Sequence, residues 1–323
     1  YLTDVLTEEA VGFIERHRQR PFFLNVMYNA PHSPLQAPEH LVRPYLEAGL
    51  GKGVAITYAM IERLDAGVAR ILDTLSQYNL SENTIVLFTS DNGPAFMVRP
   101  DQAPDEVSRD TRRFNCGFNG AKGSVYEGGI RVPGIIRWPG KVKAGSTDNT
   151  PISGLDILPT LCDVTGLKAP EDRSLDGTNI SPLFRGKKIT RKQPLYWHFH
   201  AARGGMQVAM REGDWKLVAA IDAPPARQRA GIAAEDQRDI KTAKLGKMEL
   251  YNLKVDRAET RDLASAEPKR LKQMAARMQK IYAGVQKDSP QWPAWEFARY
   301  ESQRIEWPPY RGAKKVEPRK PKI

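Results

Sequence analysis

The order of apolar patterns predicts an α/β chain: a mostly parallel sheet sandwiched by helices, then a smaller antiparallel α+β unit. Two short apolar runs, Phe22–Tyr28 and Thr84–Thr89, read as buried strands. Between them, Gly53–Leu75 carries Ile61, Leu64, Val68, Ile71 and Leu75 at spacings of three and four, the period of an amphipathic helix. Strand, helix and strand with a long crossover call for parallel strands covered by helices. After about Gly186 the texture changes to short strand-like pieces followed by one basic helix.

In chain order, Thr3–His17 has helical spacing, with Val5, Leu6, Ala10, Phe13 and Ile14 on one side. Arg131–Arg137 is a further candidate strand. Asp156–Val164 is a short helix with a proline in its first turn, and Asp156 stands where a cap is expected. Asp65 shares the helix face of Ile61 and Val68, so a structural role beneath the sheet is expected of it. Leu195–Phe199, Gln207–Arg211, Trp215–Ala219 and Glu249–Leu253 are expected strands, and Glu267–Val285 the helix that accompanies them. Pro224–Gly246 reads as a polar loop. The expected division is a catalytic part at 1–186, a small C-terminal unit at 187–288, and a Pro-, Trp- and Lys-rich tail at 289–323 holding Trp292, Trp295 and Trp307.

The chain has 323 residues and a formal charge of +11. Much of the excess is local: Arg311, Lys314, Lys315, Arg319, Lys320 and Lys322 face only Glu317, as in a solvated tail. No nucleic-acid-binding module accompanies the charge, so no nucleic-acid partner is expected. No stretch reaches the roughly 20 apolar residues of a membrane span. The two cysteines, Cys116 and Cys162, make neither a disulfide framework nor a zinc site.

Ligands of open α/β sheets bind beyond the carboxyl ends of the strands. There the first run leads into Asn29-Ala30-Pro31-His32-Ser33-Pro34, and the second into Ser90-Asp91-Asn92-Gly93. Asp91 and Asn92 offer the hard oxygen ligands that Ca²⁺ or Mg²⁺ takes. Asp-Asn-Gly is also a common turn, and a histidine between prolines is often only a loop residue. A third cluster, Gly120–Pro133, is dense in glycine and carries Lys122, a compact cation for an anionic oxygen. The spacing of a phosphate-binding Walker motif is absent from it.

Taken in order, Tyr-Asn-Ala-Pro-His-Ser-Pro around His32, Asp91-Asn92-Gly93, and the Gly-x-Lys-Gly…Glu-Gly-Gly-x-Arg-Val-Pro run around Lys122 resemble the sulfatase family of the alkaline-phosphatase superfamily. Gly154–Thr160 and Met210–Leu217 resemble later landmarks, so the likeness covers roughly residues 1 to 265. The resemblance implies an alkaline-phosphatase-like fold and hydrolysis of a sulfate ester, plausibly on a carbohydrate. It implies a formylglycine nucleophile beside Ca²⁺ or Mg²⁺, with Asp91 and Asn92 as part of the ligand set. His32 and Lys122 would grip the sulfate, with His32 as candidate acid to the leaving alcohol. Glu127 and Arg131 would brace the Lys122 loop. His198 and Arg203 are candidate sugar contacts, with core packing the competing role of His198.

The match is incomplete. Neither Cys116 nor Cys162 lies in a Cys-x-Pro-x-Arg setting, and no serine does, so the resemblance places the nucleophile and the remaining metal ligands upstream of Tyr1. This chain alone is then expected to be inactive. Relatives of this kind are commonly exported, which makes a periplasmic or secreted location the expectation. Two other readings stay open: a phosphodiesterase or phosphonate hydrolase of the same superfamily, and a non-catalytic binder of anionic glycans.

Overall fold

The computed structural model describes residues 1–95, 115–200, 202, 205–224 and 234–289. Helix α1 (Leu2–His17) packs on the long α3 (Lys52–Gln77), and α2 (Glu39–Glu47) packs on α3 as well. The core at that end is Leu35, Val42, Ala55, Ile56, Ala59 and Met60. Thus α3 buries its N-terminal half most deeply, where small residues let α2 approach. Asp65 is exposed and Ile61 is 44% exposed, so that face of α3 does not lie beneath a sheet as the spacing had suggested. Helix α2 leaves little periodic trace in the sequence, because Pro44 interrupts its apolar stripe.

Residues 21–29 alternate between exposed and half-buried, but among the described residues they pair in no ladder. The expected strand at Phe22–Tyr28 is therefore absent. Alternation is only half of a strand, which also needs a neighbour about 4.8 Å away to bond with. Tyr28 ends the segment on the α1–α3 contact. Its hydroxyl lies 2.8 Å from the Thr7 hydroxyl, and a Cβ on Gly67 would come within 2.9 Å of it. Glycine at position 67 is what lets Tyr28 reach Thr7.

The run at Thr84–Thr89 forms β1 (Val86–Thr89), which pairs antiparallel with β2 (Gly134–Arg137). No parallel ladder occurs among the described residues. The chain returns to β2 through the glycine-rich loop, which is tied back to the end of β1, so the two strands run in opposite directions. One turn of helix, α4 (Glu127–Ile130), lies just before β2. Farther on comes α5 (Ile157–Thr165), preceded by a capping box between Ser153 and Asp156.

The second half is one antiparallel sheet in the order β3 (Leu195–Phe199), β4 (Gln207–Glu212), β5 (Trp215–Asp222) and β6 (Lys244–Asn252). Against it lies α7 (Pro268–Asp288), and α6 (Ala234–Thr242) packs on α7. The supposed loop at 224–246 thus contains α6 and the start of β6, while residues 225–233 lie outside the described residues. Side chains alternate across the sheet with period two. Val208, Met210, Leu217, Ala219 and Leu250 meet Met274, Met278 and Tyr282 of α7. On the other face Ala209, Val218 and Tyr251 pack against Val125 and Tyr126 of the glycine-rich loop. The central strands are therefore covered on both sides, by a helix on one and by the candidate site's loop on the other.

Candidate active site

The Asp91–Asn92 turn and the Lys122 loop meet backbone to backbone. Gly93 N donates to Gly129 O at 2.9 Å, and Lys122 N donates to Pro94 O at 2.9 Å. A Cβ on Gly93 would sit 1.9 Å from Gly128 O, so only glycine permits this approach. Within the loop, Gly120 and Gly123 have φ of +73° and +91°, left-handed conformations that disfavour side chains. Gly128 and Gly129 are crowded by the carbonyls of Asn119, Gly120, Ala121 and Ser124. The glycine density therefore serves close packing of the site's own backbone, and Lys122 stands half-buried at that junction.

Asp91 is exposed, and its Oδ1 accepts from Asn92 N at 2.9 Å. Asn92 Nδ2 donates to Gly93 O at 2.9 Å, which leaves the amide oxygen as its free acceptor end. One carboxylate and one amide oxygen suit a hard divalent cation, though calcium takes about six to eight oxygens. Among the described residues no group of three or more His, Cys, Asp or Glu side chains converges for a metal.

His32 is exposed in a turn closed by His32 N donating to Asn29 O at 2.8 Å. Its Nδ1 lies 2.6 Å from Ser33 O. A carbonyl only accepts, so Nδ1 carries the proton and Nε2 is the end free for chemistry. Arg203 lies outside the described residues. His198 is described, and it points inward: neither ring nitrogen has a hydrogen-bond partner, and the ring packs on His200 and Tyr282 at centroid distances of 4.3 and 5.4 Å. Burial, with His200 adding to it, pushes the His198 imidazole down to about 4. That placement suits the packing role more than a sugar contact.

Behind the Lys122 loop lies a buried charge cluster of which local sequence shows only Glu127 and Arg131. Glu127, 2% exposed, pairs through Oε2 with Arg131 at 3.3 Å and Arg211 at 3.6 Å. Its Oε1 pairs at 3.0 Å with Lys216, whose ammonium also lies 2.8 Å from Glu259 Oε1. Burial raises the Glu259 carboxyl above its ordinary range, with Lys216 pulling the other way. The missed signal was Lys216 itself, an inward-alternating lysine in a strand whose neighbours are apolar, which requires buried partners. Asp156, fully buried, is likewise more than a cap: Arg191 grips it through both guanidinium nitrogens at 2.8 and 2.5 Å.

The family model for Sulfatase matches residues 1–167, and one described as N-sulphoglucosamine sulphohydrolase, C-terminal, matches residues 118–288. Arylsulfatase H of Canis lupus familiaris is 35% identical over 207 residues, covering 62% of this chain and 35% of that protein. N-acetylgalactosamine-6-sulfatase of the same organism is 35% identical over 218 residues, covering 67% and 38%. The chain thus spans little more than a third of these relatives. Among solved structures, Ps i-CgsB in complex with k-i-k-neocarrahexaose aligns with a TM-score of 0.71 at 29% identity, over 92% of this chain and 57% of that one. With the alkaline-phosphatase-like fold of those neighbours and a family match over more than half its length, the chain belongs to the sulfatase family.

Proposed function

We propose that the whole protein hydrolyses a sulfate ester on a sulfated carbohydrate, and that Asp91, Asn92, Lys122 and His32 are this chain's share of its active site. The observation that carries this reading is the pair of backbone bonds tying Gly93 to Gly129 and Lys122 to Pro94. They tie the backbone of the Asp91–Asn92 turn to that of the Lys122 loop from distant parts of the sequence, which supports one shared site for two oxygen ligands and one cation. The carbohydrate rests on the relatives: one is named for a sulfated amino sugar, and one solved neighbour holds a carbohydrate hexaose. In this reading residues 1–186 carry catalysis and 187–288 form the unit behind it. An exported protein is expected, and no helix among the described residues is long and apolar enough to cross a membrane.

Asp91 and Asn92 would hold Ca²⁺ or Mg²⁺. Bound there, such a cation would polarise the sulfate oxygens beside the formylglycine nucleophile that the family resemblance implies. Lys122 places an ammonium against the charge that develops on sulfate as the ester bond breaks. His32, when protonated at both ring nitrogens, would donate from Nε2 to the departing alkoxide, with Nδ1–H still bonded to Ser33 O.

The test is release of inorganic sulfate by the whole protein from a sulfated oligosaccharide and from an aryl sulfate, beside phosphate release from the matching phosphate esters. Sulfate release exceeding phosphate release supports the reading. Preference for phosphate esters transfers the site to the phosphohydrolase branch, and binding of the oligosaccharide without turnover leaves a glycan-binding protein.

A further inference from the structure

The charge cluster on the inner face of β5 takes no part in the chemistry above, yet it touches the loops that do. Lys216 has no exposed surface and lies between Glu127 and Glu259, at 3.0 and 2.8 Å. Glu259 holds Glu127 a second time, because its Oε2 accepts from Glu127 N at 2.7 Å. Both the side chain and the backbone of Glu127 are thereby fixed by residues of the C-terminal half. Glu127 opens α4, and the next two residues are Gly128 and Gly129, the pair on which Gly93 rests. No side chain cushions that contact, so a shift of Glu127 must move the Asp91–Asn92 turn or break its docking. In the other direction Gly128 N donates to Asn119 O at 2.6 Å, which couples Glu127 to the start of the loop that carries Lys122.

We propose that Glu127, Lys216 and Glu259 are positioning residues: through them the C-terminal sheet sets the placement of both the Lys122 loop and the Asp91–Asn92 turn. Their functional weight rests on the reading of those loops as a sulfatase site, but the mechanical coupling is testable without turnover. A merely stabilising ion pair would, when broken, loosen the molecule without singling out these loops. The Asp156–Arg191 pair supplies the comparison. It is buried and bidentate, but its contacts run to Pro151, Ser153 and Thr178 and to neither loop.

The experiment is hydrogen exchange on this chain with Lys216→Met, the milder Glu259→Gln, and Asp156→Asn as the control. Peptides covering residues 90–95 and 119–131 are expected to exchange at least roughly tenfold faster in Lys216→Met and Glu259→Gln, with α1 and α3 unchanged. Asp156→Asn should leave those two peptides at the wild-type rate. Glu259→Gln keeps the volume and one acceptor, so it carries the test if Lys216→Met does not fold. Wild-type exchange in these peptides in a folded variant, or acceleration spread evenly over the chain, overturns the proposal. In the whole enzyme Lys216→Met and Glu259→Gln should lower kcat by roughly ten- to a hundredfold with little change in KM, the mark of misplaced groups. Failure of the wild type to release sulfate would end the functional reading alone, because the exchange result stands apart from it.

Discussion

Gly93 shows how much a single residue carries at this site. Its Cα faces Gly128 O with no room between, so Gly93→Ala must push the two loops apart. That overpacking is expected to cost about 1–3 kcal/mol, read as a lowered denaturation midpoint, and to lower sulfate release more than stability alone explains. His198 gives a different signature. Its unfolded imidazole takes a proton near the ordinary 6.5, the folded one only near 4, so stability falls as pH drops through that window and levels off below it. The loss is on the order of 2 kcal/mol after discounting for partial solvent contact. Burial depresses His200 in the same direction, with Asp236 opposing it. Urea melts between pH 7 and pH 4 should show a shallower slope in His198→Leu. An unchanged slope would place the titration elsewhere. His32, Asp91, Asn92 and Lys122, the residues proposed for the chemistry, stand out in the sequence because their local motifs are short and contiguous. Lys216 and Glu259 do not, because each matters only through a partner far away in sequence.

Among elements, those whose period is satisfied within the element were the readable ones. Helices α1, α3 and α7 and strands β3, β4 and β5 fall within a few residues of where spacing put them. Residues 22–28 show the limit: their alternation is real, but whether an extended segment becomes a strand depends on a neighbour that its own sequence does not name. The loop at 224–246 hid α6 because that helix is mostly polar and docks only its Ile240 side, with Gln286 of α7 donating to Ile240 O and Ala243 O. The turn into α5 depends on the Asp156–Arg191 pair, which ties the segment around residue 191 to the start of that helix. Arg191→Met leaves a buried carboxylate unpaired and is expected to cost about 3–5 kcal/mol in urea unfolding. Exchange protection in α5 should fall with it, and retained protection would show that the helix is held by its capping box instead.

At the scale of the whole molecule, the four-stranded sheet is the central layer, with α7 on one face and the glycine-rich loop on the other. Tyr126 and Tyr251 both donate to Glu249, at 2.6 and 2.9 Å, which adds a polar tie to that second interface. The C-terminal half is thus built into the wall behind the candidate site. The sequence announced two textures meeting near Gly186, but not that they share a core, since contact between distant segments leaves no periodic trace. The proposed function requires the Asp91–Asn92 turn and the Lys122 loop to act as one catalytic site. The most direct measurement is sulfate release from an aryl sulfate by the whole protein, compared with folded Asp91→Ala and Lys122→Ala variants. The wild type is expected to turn over and each variant to lose roughly 10²–10³ in kcat/KM. Near-wild-type turnover in either variant would contradict the assignment.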